Sequence, residues 1–311
     1  MNSRSDNFLP LVSIVTPTYN QGKYIEATIQ SVLSQNYSNV EYIVVDGGST
    51  DETLDILKRY DKRLRWISEH DNGPEDAINK GIRQTRGKIV AWLASDDTYL
   101  PETITTAVEI FRKHPSVGLV YGKSRYIDST GMFIADYPTA PFNDNAMAVY
   151  NIICQPSVFF LRDIFFDAGE LSLDLEIATD YDLWIRIANL SSIFYIPQYL
   201  SNYRLHYDAK TLGYSDPLVK FEECLNIAYK YYRWAPANRV YPCCLYRLKE
   251  KSWKLPSFLI TQLALLYALY EYLRLNKGID HRDLALIPRN LKKLLFGWEL
   301  EDTIKSENKN L

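Results

Sequence analysis

Over the first hundred residues, apolar positions come in short blocks whose period switches between two and about 3.6. Residues 12–16 are β-branched and apolar and predict a strand stopped by Pro17. Within residues 23–34, Ile25, Ile29, Val32 and Leu33 recur at helical spacing. Residues 41–45 predict a second strand, and Asp51 is placed to cap a helix with Leu54, Ile56 and Leu57 on its apolar face. Residues 64–67 read as a third strand, 77–85 as a helix closed by Gly87, and 89–93 as a fourth strand. Repeated strand–helix units with short connections predict an α/β fold, a mostly parallel sheet flanked by helices.

The pattern then changes. Residues 117–136 read as shorter strands around a Ser129-Thr130-Gly131 turn. Residues 180–190 place Leu183, Trp184, Ile187 and Ala188 on one helical face, and 193–196 read as a strand. From Asp216 the chain is helical in pattern and interrupted at Pro236, Pro242 and Pro256. The expected division is an α/β domain over 1–213 and a helical extension over 214–311. The longest apolar stretch, 258–270, is broken by Thr261 and Gln262 and falls short of the ~20 residues a spanning helix needs. A buried or interfacial helix fits it. The apolar run 11–15 is too short for a signal-peptide core, so the expected location is the cytoplasm, at most peripheral on the inner face of the membrane.

Composition narrows the classes. Of 311 residues, 23% are charged and 47% hydrophobic, which excludes a disordered chain. A net charge of -3 speaks against a nucleic-acid binder. That sum hides an asymmetry: 1–213 hold 19 basic and 27 acidic side chains, whereas 214–311 hold 16 and 11. The basic excess is +7 within 214–296. It fits an anionic lipid surface or acceptor, and equally a solvated helical surface. Cys154, Cys224, Cys243 and Cys244 form no CxxC pair, which excludes a zinc ribbon or a disulfide framework.

Polar clusters fall where the predicted strands end: Pro17-Thr18-Tyr19-Asn20, then Asp46-Gly47-Gly48-Ser49-Thr50-Asp51, then 69–77, then Ser95-Asp96-Asp97. Ligands of open parallel sheets bind beyond the carboxyl ends of strands. Paired carboxylates repel unless a cation joins them, so Asp96-Asp97 points to Mg²⁺ or Mn²⁺ with oxygen ligands, against the alternative of a helix cap. GxxxxGK[ST] and GxGxxG are both absent. Gly47-Gly48 allows a tight turn and close approach of a ligand to the backbone.

In this order, these clusters resemble the signature of family 2 glycosyltransferases with the GT-A fold. Asp76-Ala77 with Asn79-Lys80-Gly81, Gln155-Pro156-Ser157, the segment Asp180-Tyr181-Asp182-Leu183-Trp184-Ile185-Arg186, and Tyr203-Arg204-Leu205-His206 complete the likeness. It covers residues 10–210; the last hundred match no family pattern. The resemblance implies a nucleotide-sugar donor. Asp46 would contact the base, with Pro17, Thr18, Tyr19, Asn20 and Gly48 lining its pocket. Asp76, Asn79 and Lys80 would hold the nucleotide, and Ser95 and Asp96 the ribose or donor sugar. Asp97 would bind the metal, and His206 the metal or the diphosphate. Asp180 would be the base that takes the acceptor hydroxyl's proton, with Asp182 the competing assignment. Thr179, Ala94 and Pro74-Glu75 depart from the usual pattern. Arg233-Trp234 resembles the QxxRW element of processive synthases, but Lys230 stands where Gln belongs.

The expectation is therefore a non-processive, inverting, metal-dependent transferase. It would move a sugar from a nucleotide diphosphate, UDP above others, to a hydroxyl of a glycan or lipid-linked glycan of a bacterial surface polysaccharide, with peripheral membrane contact through 214–296. Two alternatives stand beside it. One is a catalytically silent partner subunit that keeps the fold. The other is a sugar nucleotidyltransferase, which would need a Gly-rich basic loop where residues 17–20 stand.

Overall fold

Residues 12–18 are buried at every position, so this run has no solvent face and belongs inside a sheet. The computed structural model describes residues 9–210, 216–251 and 255–283. The chain divides into two units. The first is Met1–Phe142, Ile152–Leu173 and Leu183–Arg204; the second is Asn143–Asn151, Asp174–Asp182 and Leu205–Leu311.

The first unit opens with β1 (Val12–Thr18), α1 (Gly22–Leu33), β2 (Val40–Asp46), α2 (Thr53–Arg59), β3 (Arg65–Ser68), α3 (Pro74–Arg83) and β4 (Ile89–Trp92). Next come β5 (Thr98–Tyr99), α4 (Thr103–Lys113), β6 (Val117–Ile127) and β7 (Phe133–Asp136). After α5 (Asp144–Val149), which belongs to the second unit, follow β8 (Phe159–Leu161), α6 (Arg162–Asp167), α7 (Thr179–Ala188) and β9 (Ser192–Arg204). Among the described residues nine strands form one sheet, ordered β3-β2-β1-β4-β8-β6-β9-β5 with β7 on β6. β3, β2, β1 and β4 are mutually parallel, so their carboxyl ends share one edge. Beyond β4 the sheet is mixed: β8 is antiparallel to β4 and β6, and β9 is parallel to β6.

Alternation along the strands sends side chains to two layers. Val12, Ile14, Val44, Ile89 and Ala91 pack with Ile25 and Ile29 of α1, Leu57 of α2 and Ile104 of α4. On the other face Trp92 stacks on Trp184 of α7 with ring centroids 5.1 Å apart, and Phe160 stacks on Phe165 of α6.

Several elements differ from the sequence expectation. β1 runs through Pro17 rather than stopping there. Val15 C=O accepts the Leu93 N–H on the β4 side, and Pro17 faces the same side two residues on, where the pairing with β4 has ended. The missing N–H therefore costs no ladder bond. α3 starts at Pro74 rather than 77, with the proline in its first turn, where no donor is needed. β6 is one strand of eleven residues and β9 one of thirteen, longer than the short strands expected, because their parallel pairing carries polar residues such as Lys123 and Arg125. β5, β8, α5 and α6 are too short to show in the pattern.

The second unit holds α5, the start of α7, and α8 (Pro217–Tyr232), α9 (Ala237–Lys251) and α10 (Ser257–Asn276). Its core gathers Leu225, Val240, Cys243, Cys244, Ala268 and Tyr272. Pro242 lies inside α9 and does not end it, because the proline and its buried neighbours Val240, Cys243 and Cys244 all pack inward. All four cysteines are free, and burial pushes the Cys243 thiol up to about 12 and Cys244 to about 11, which leaves them unreactive. The expected boundary near residue 213 falls within 211–215, outside the described residues, as do 284–311. Among the described residues no helix is long and apolar enough to cross a membrane.

Candidate active site

The loops after β1 and β2 are laced together by side chains. Asn20 sits in the left-handed region at φ 51°. Its N–H donates to Ser49 Oγ at 2.7 Å, and its Oδ1 accepts the Thr50 N–H at 2.8 Å. Asp51 accepts the Gly22 N–H at 2.9 Å and the Thr53 N–H at 3.0 Å, so one carboxylate serves the starts of α1 and α2. Glu52, not Asp51, holds the N-cap backbone position of α2.

Asp46 closes β2 and is fully buried. Its carboxylate accepts the N–H groups of Gly48 (3.1 Å) and Ser49 (3.0 Å), Ser49 Oγ (2.5 Å) and Ser68 Oγ (2.7 Å). Three of these donors converge on Oδ2 and one on Oδ1, so Asp46 fixes the turn that follows β2. Gly48 makes that turn at φ 88°, where a side chain would be strained. Pro17 lies in the buried end of β1, and Tyr19 projects, 58% exposed. Thr18 Oγ1 is buried without a hydrogen-bond partner among the described residues.

After β3, Asp76 and Lys80 share one face of α3 at i,i+4. Lys80 Nζ lies 3.2 Å from both Asp76 and Glu69, which raise its pKa in that order. The Asn72 N–H, with Lys80, lowers the Asp76 carboxyl. Asn79 is committed to the fold: its amide exchanges hydrogen bonds of 2.9 and 3.1 Å with the Leu171 backbone.

After β4, Ser95 and Asp97 offer their carbonyls to Thr28 Oγ1 of α1 at 2.9 and 2.7 Å. Asp97 is 1% exposed. Burial and then the adjacent Asp96 push its carboxyl well above the usual range. Arg204, ending β9, opposes this: its N–H donates to Asp97 Oδ1 at 2.8 Å and its Nε to the Asp96 carbonyl at 2.8 Å. Its Nη1 reaches the Asp128 carbonyl at 3.0 Å. A carboxylate buried beside another is a site that a hard cation relieves, and Mg²⁺ or Mn²⁺ needs only one or two carboxylates when substrate phosphates complete the shell. The pair fits such an ion, although no group of three His, Cys, Asp or Glu assembles among the described residues.

Asp180 and Asp182 occupy the first turn of α7 within the second unit. Asp180 is half-buried and accepts the Tyr181 N–H at 2.6 Å and Asn151 Nδ2 at 3.4 Å. Asp182 is buried; Tyr231 Oη donates to it at 2.9 Å and Lys230 Nζ lies 3.7 Å away. Glu223 of α8 accepts three successive N–H groups, of Glu176, Ile177 and Ala178, at 2.6–2.9 Å, and so holds the lead into α7. His206 follows β9 and is buried in the second unit.

In the first unit Pro17, Thr18 and Asp46 stand at the carboxyl ends of β1 and β2, Tyr19, Asn20 and Gly48 in the loops that follow and Ser95, Asp96 and Asp97 in the loop after β4, while Asp76, Asn79 and Lys80 lie along α3, with Asn79 bonded to Leu171. Asp180 and His206 lie in the second. Sequence reasoning missed Thr28 and Glu223, which carry no motif. It also passed over Arg204, although the Tyr203–His206 segment contained it.

Residues 13–163 match the family profile described as Glycosyl transferase family 2. An uncharacterized glycosyltransferase of Rickettsia prowazekii (strain Madrid E) is 30% identical over 224 residues, which cover 70% of this chain and 70% of that one. The chain spans only 30% and 35% of the length of the relatives it matches in Rickettsia bellii and Rickettsia felis. Residues 1–349 of S. aureus TarS, crystallised with UDP-GlcNAc, superpose with a TM-score of 0.63 at 18% identity, covering 85% of this chain and 81% of that one. The mannosyltransferase PcManGT of Pyrobaculum calidifontis, in complex with GDP-Man and Mn²⁺, gives 0.60 at 20% identity, covering 96% and 84%. At such identities the two structures establish the GT-A-type fold.

Proposed function

The chain belongs to glycosyl transferase family 2, and from that premise we propose that it transfers a sugar, with inversion, from a nucleotide diphosphate to a hydroxyl of a glycan or lipid-linked glycan. The donor nucleotide in this reading is UDP. The observation that carries it is the buried Asp97 beside Asp96, at the end of β4 on an edge where three loops are already fixed. The β1 and β2 loops form the nucleotide floor, in which Asp46 and Asn20 set the backbone and Thr18 Oγ1 meets the ligand. Lys80, pinned between two carboxylates, is a preset cation for the nucleotide. Asp96 and Asp97 would hold Mg²⁺ or Mn²⁺, with substrate phosphates completing the shell. The bound ion would neutralise charge growing on the departing diphosphate. Asp180 takes the proton of the attacking hydroxyl as the bond to the anomeric carbon forms. Its half-buried position favours it over Asp182, which Tyr231 and Lys230 hold inside.

The test is calorimetric titration of UDP, GDP and dTDP with and without Mn²⁺, on the wild type and Asp97→Ala. UDP binding that needs Mn²⁺ and is lost in the variant supports the reading. Tight binding of another diphosphate changes the donor. Absence of binding under all conditions overturns it and favours a silent partner subunit.

A further inference from the structure

α10 carries apolar residues on two faces, and the described residues of its own unit cover one of them. Ile260, Ala264, Ala268 and Tyr272 recur every four residues and are buried. The other arc presents Phe258, Leu265, Leu266, Leu269, Tyr270 and Leu273, which are 39–71% exposed. At 3.6 residues per turn these six span roughly 140° of the helix. Contiguous apolar exposure on this scale marks an interaction surface.

The charges around the arc indicate what covers it. Among the described residues of α10 the acid is Glu271, which is buried and paired with Arg274, so no carboxylate lies on the exposed arc. At its carboxyl end stands the exposed cation Lys277, beyond Arg274, whose charge Glu271 matches. The chain from 214 onward is basic in excess. A protein–protein interface surrounds its apolar core with a polar, solvent-accessible rim. This arc has a Leu/Phe/Tyr centre, no carboxylate on it and the exposed Lys277 at its end, in a basic stretch of chain, the pattern of a helix lying in an anionic bilayer interface. The helix is not long and apolar enough to cross.

We propose that the exposed face of α10 seats in the interfacial layer of an anionic membrane. The inference stands on α10 alone and holds whatever sugar or acceptor the protein uses.

The test is flotation of the full chain with phosphatidylcholine vesicles, with and without phosphatidylglycerol. It compares the wild type with Leu266→Glu/Leu269→Glu. Both positions are exposed, so the variant should keep its thermal transition and its nucleotide binding. A second variant, Leu266→Ser/Leu269→Ser, removes the apolar area without adding charge. The wild type should float with the anionic vesicles, and the Glu pair should bind them about tenfold more weakly or less, with the Ser pair between. The inference fails if the wild type stays at the bottom of the gradient. It also fails if the Glu pair floats equally well, or if size-exclusion light scattering shows a wild-type dimer that the Glu pair dissolves while neither chain binds vesicles.

Discussion

Asp97 makes a prediction of definite sign. Its folded pKa lies above the unfolded value of 3.8, because burial and Asp96 disfavour the charge. The folded state therefore holds a proton that the unfolded state releases. The stability this contributes is fully present below 3.8 and is lost as pH rises through the folded pKa. In chelator, the wild type should lose thermal stability as pH rises from that point towards neutrality. Asp97→Asn, which cannot ionise, should melt several degrees higher at pH 7 and no longer respond to Mn²⁺. Scanning fluorimetry across pH, with and without Mn²⁺, reads both effects; a wild type flat across this range would remove Asp97 as the strained group. Asp180 and Asp182 separate in the same spirit. Asp180→Asn should lower kcat about a hundred- to ten-thousand-fold while leaving the donor Kd unchanged. Asp182→Ala strips a buried acceptor from Tyr231 and should cost about 1–3 kcal/mol of stability, with kcat reduced less than about tenfold. Initial rates and calorimetry on the two variants assign the base.

At the scale of elements, α7 depends on α8. Glu223 gathers three N–H groups just before the turn that bears Asp180, where the helix leaves its first donors unpaired. Glu223→Ala should cost about 2 kcal/mol in urea unfolding and lower kcat, with donor KM unchanged. Glu223→Gln, which keeps an acceptor oxygen, should recover part of the kcat. α3 makes the complementary point. A Cβ at Gly81 would lie 2.5 Å from Val15 Cγ1 and 3.0 Å from Val45 Cγ2, so α3 rests directly on β1 and β2. Gly81→Ala should destabilise by about 1–3 kcal/mol, measured in the same unfolding series. The pattern showed the elements whose apolar faces are long enough to display a period, such as β1, α1 and α7. It did not show β5 or β8, two and three residues long, which exist because neighbouring strands supply their hydrogen bonds. The polar clusters at strand ends were legible because parallel strands must deliver them to one edge. The hydrogen bonds that hold them, from Thr28, Ser68 and Arg204, come from residues 22 to 108 positions away and leave no local mark.

For the whole molecule, the net charge of -3 conceals an acidic stretch to residue 213 and a basic one after it. The same division could attach the chain to a membrane by charge alone, without α10 entering the bilayer, and salt separates the two mechanisms. Raising NaCl from about 0.1 to about 1 M shortens the Debye length from about 10 to about 3 Å. That removes the attraction of exposed Lys and Arg for anionic headgroups. It leaves the transfer of Leu and Phe side chains out of water intact or slightly strengthened. In high salt the wild type should therefore lose part of its capture by phosphatidylglycerol vesicles and keep a residue of it. Leu266→Glu/Leu269→Glu, which retains only the basic surface, should lose all. Flotation of both chains at the two salt concentrations measures this directly. Equal and complete release of wild type and variant would mean that charge alone holds the chain, and that the exposed arc of α10 faces something other than lipid.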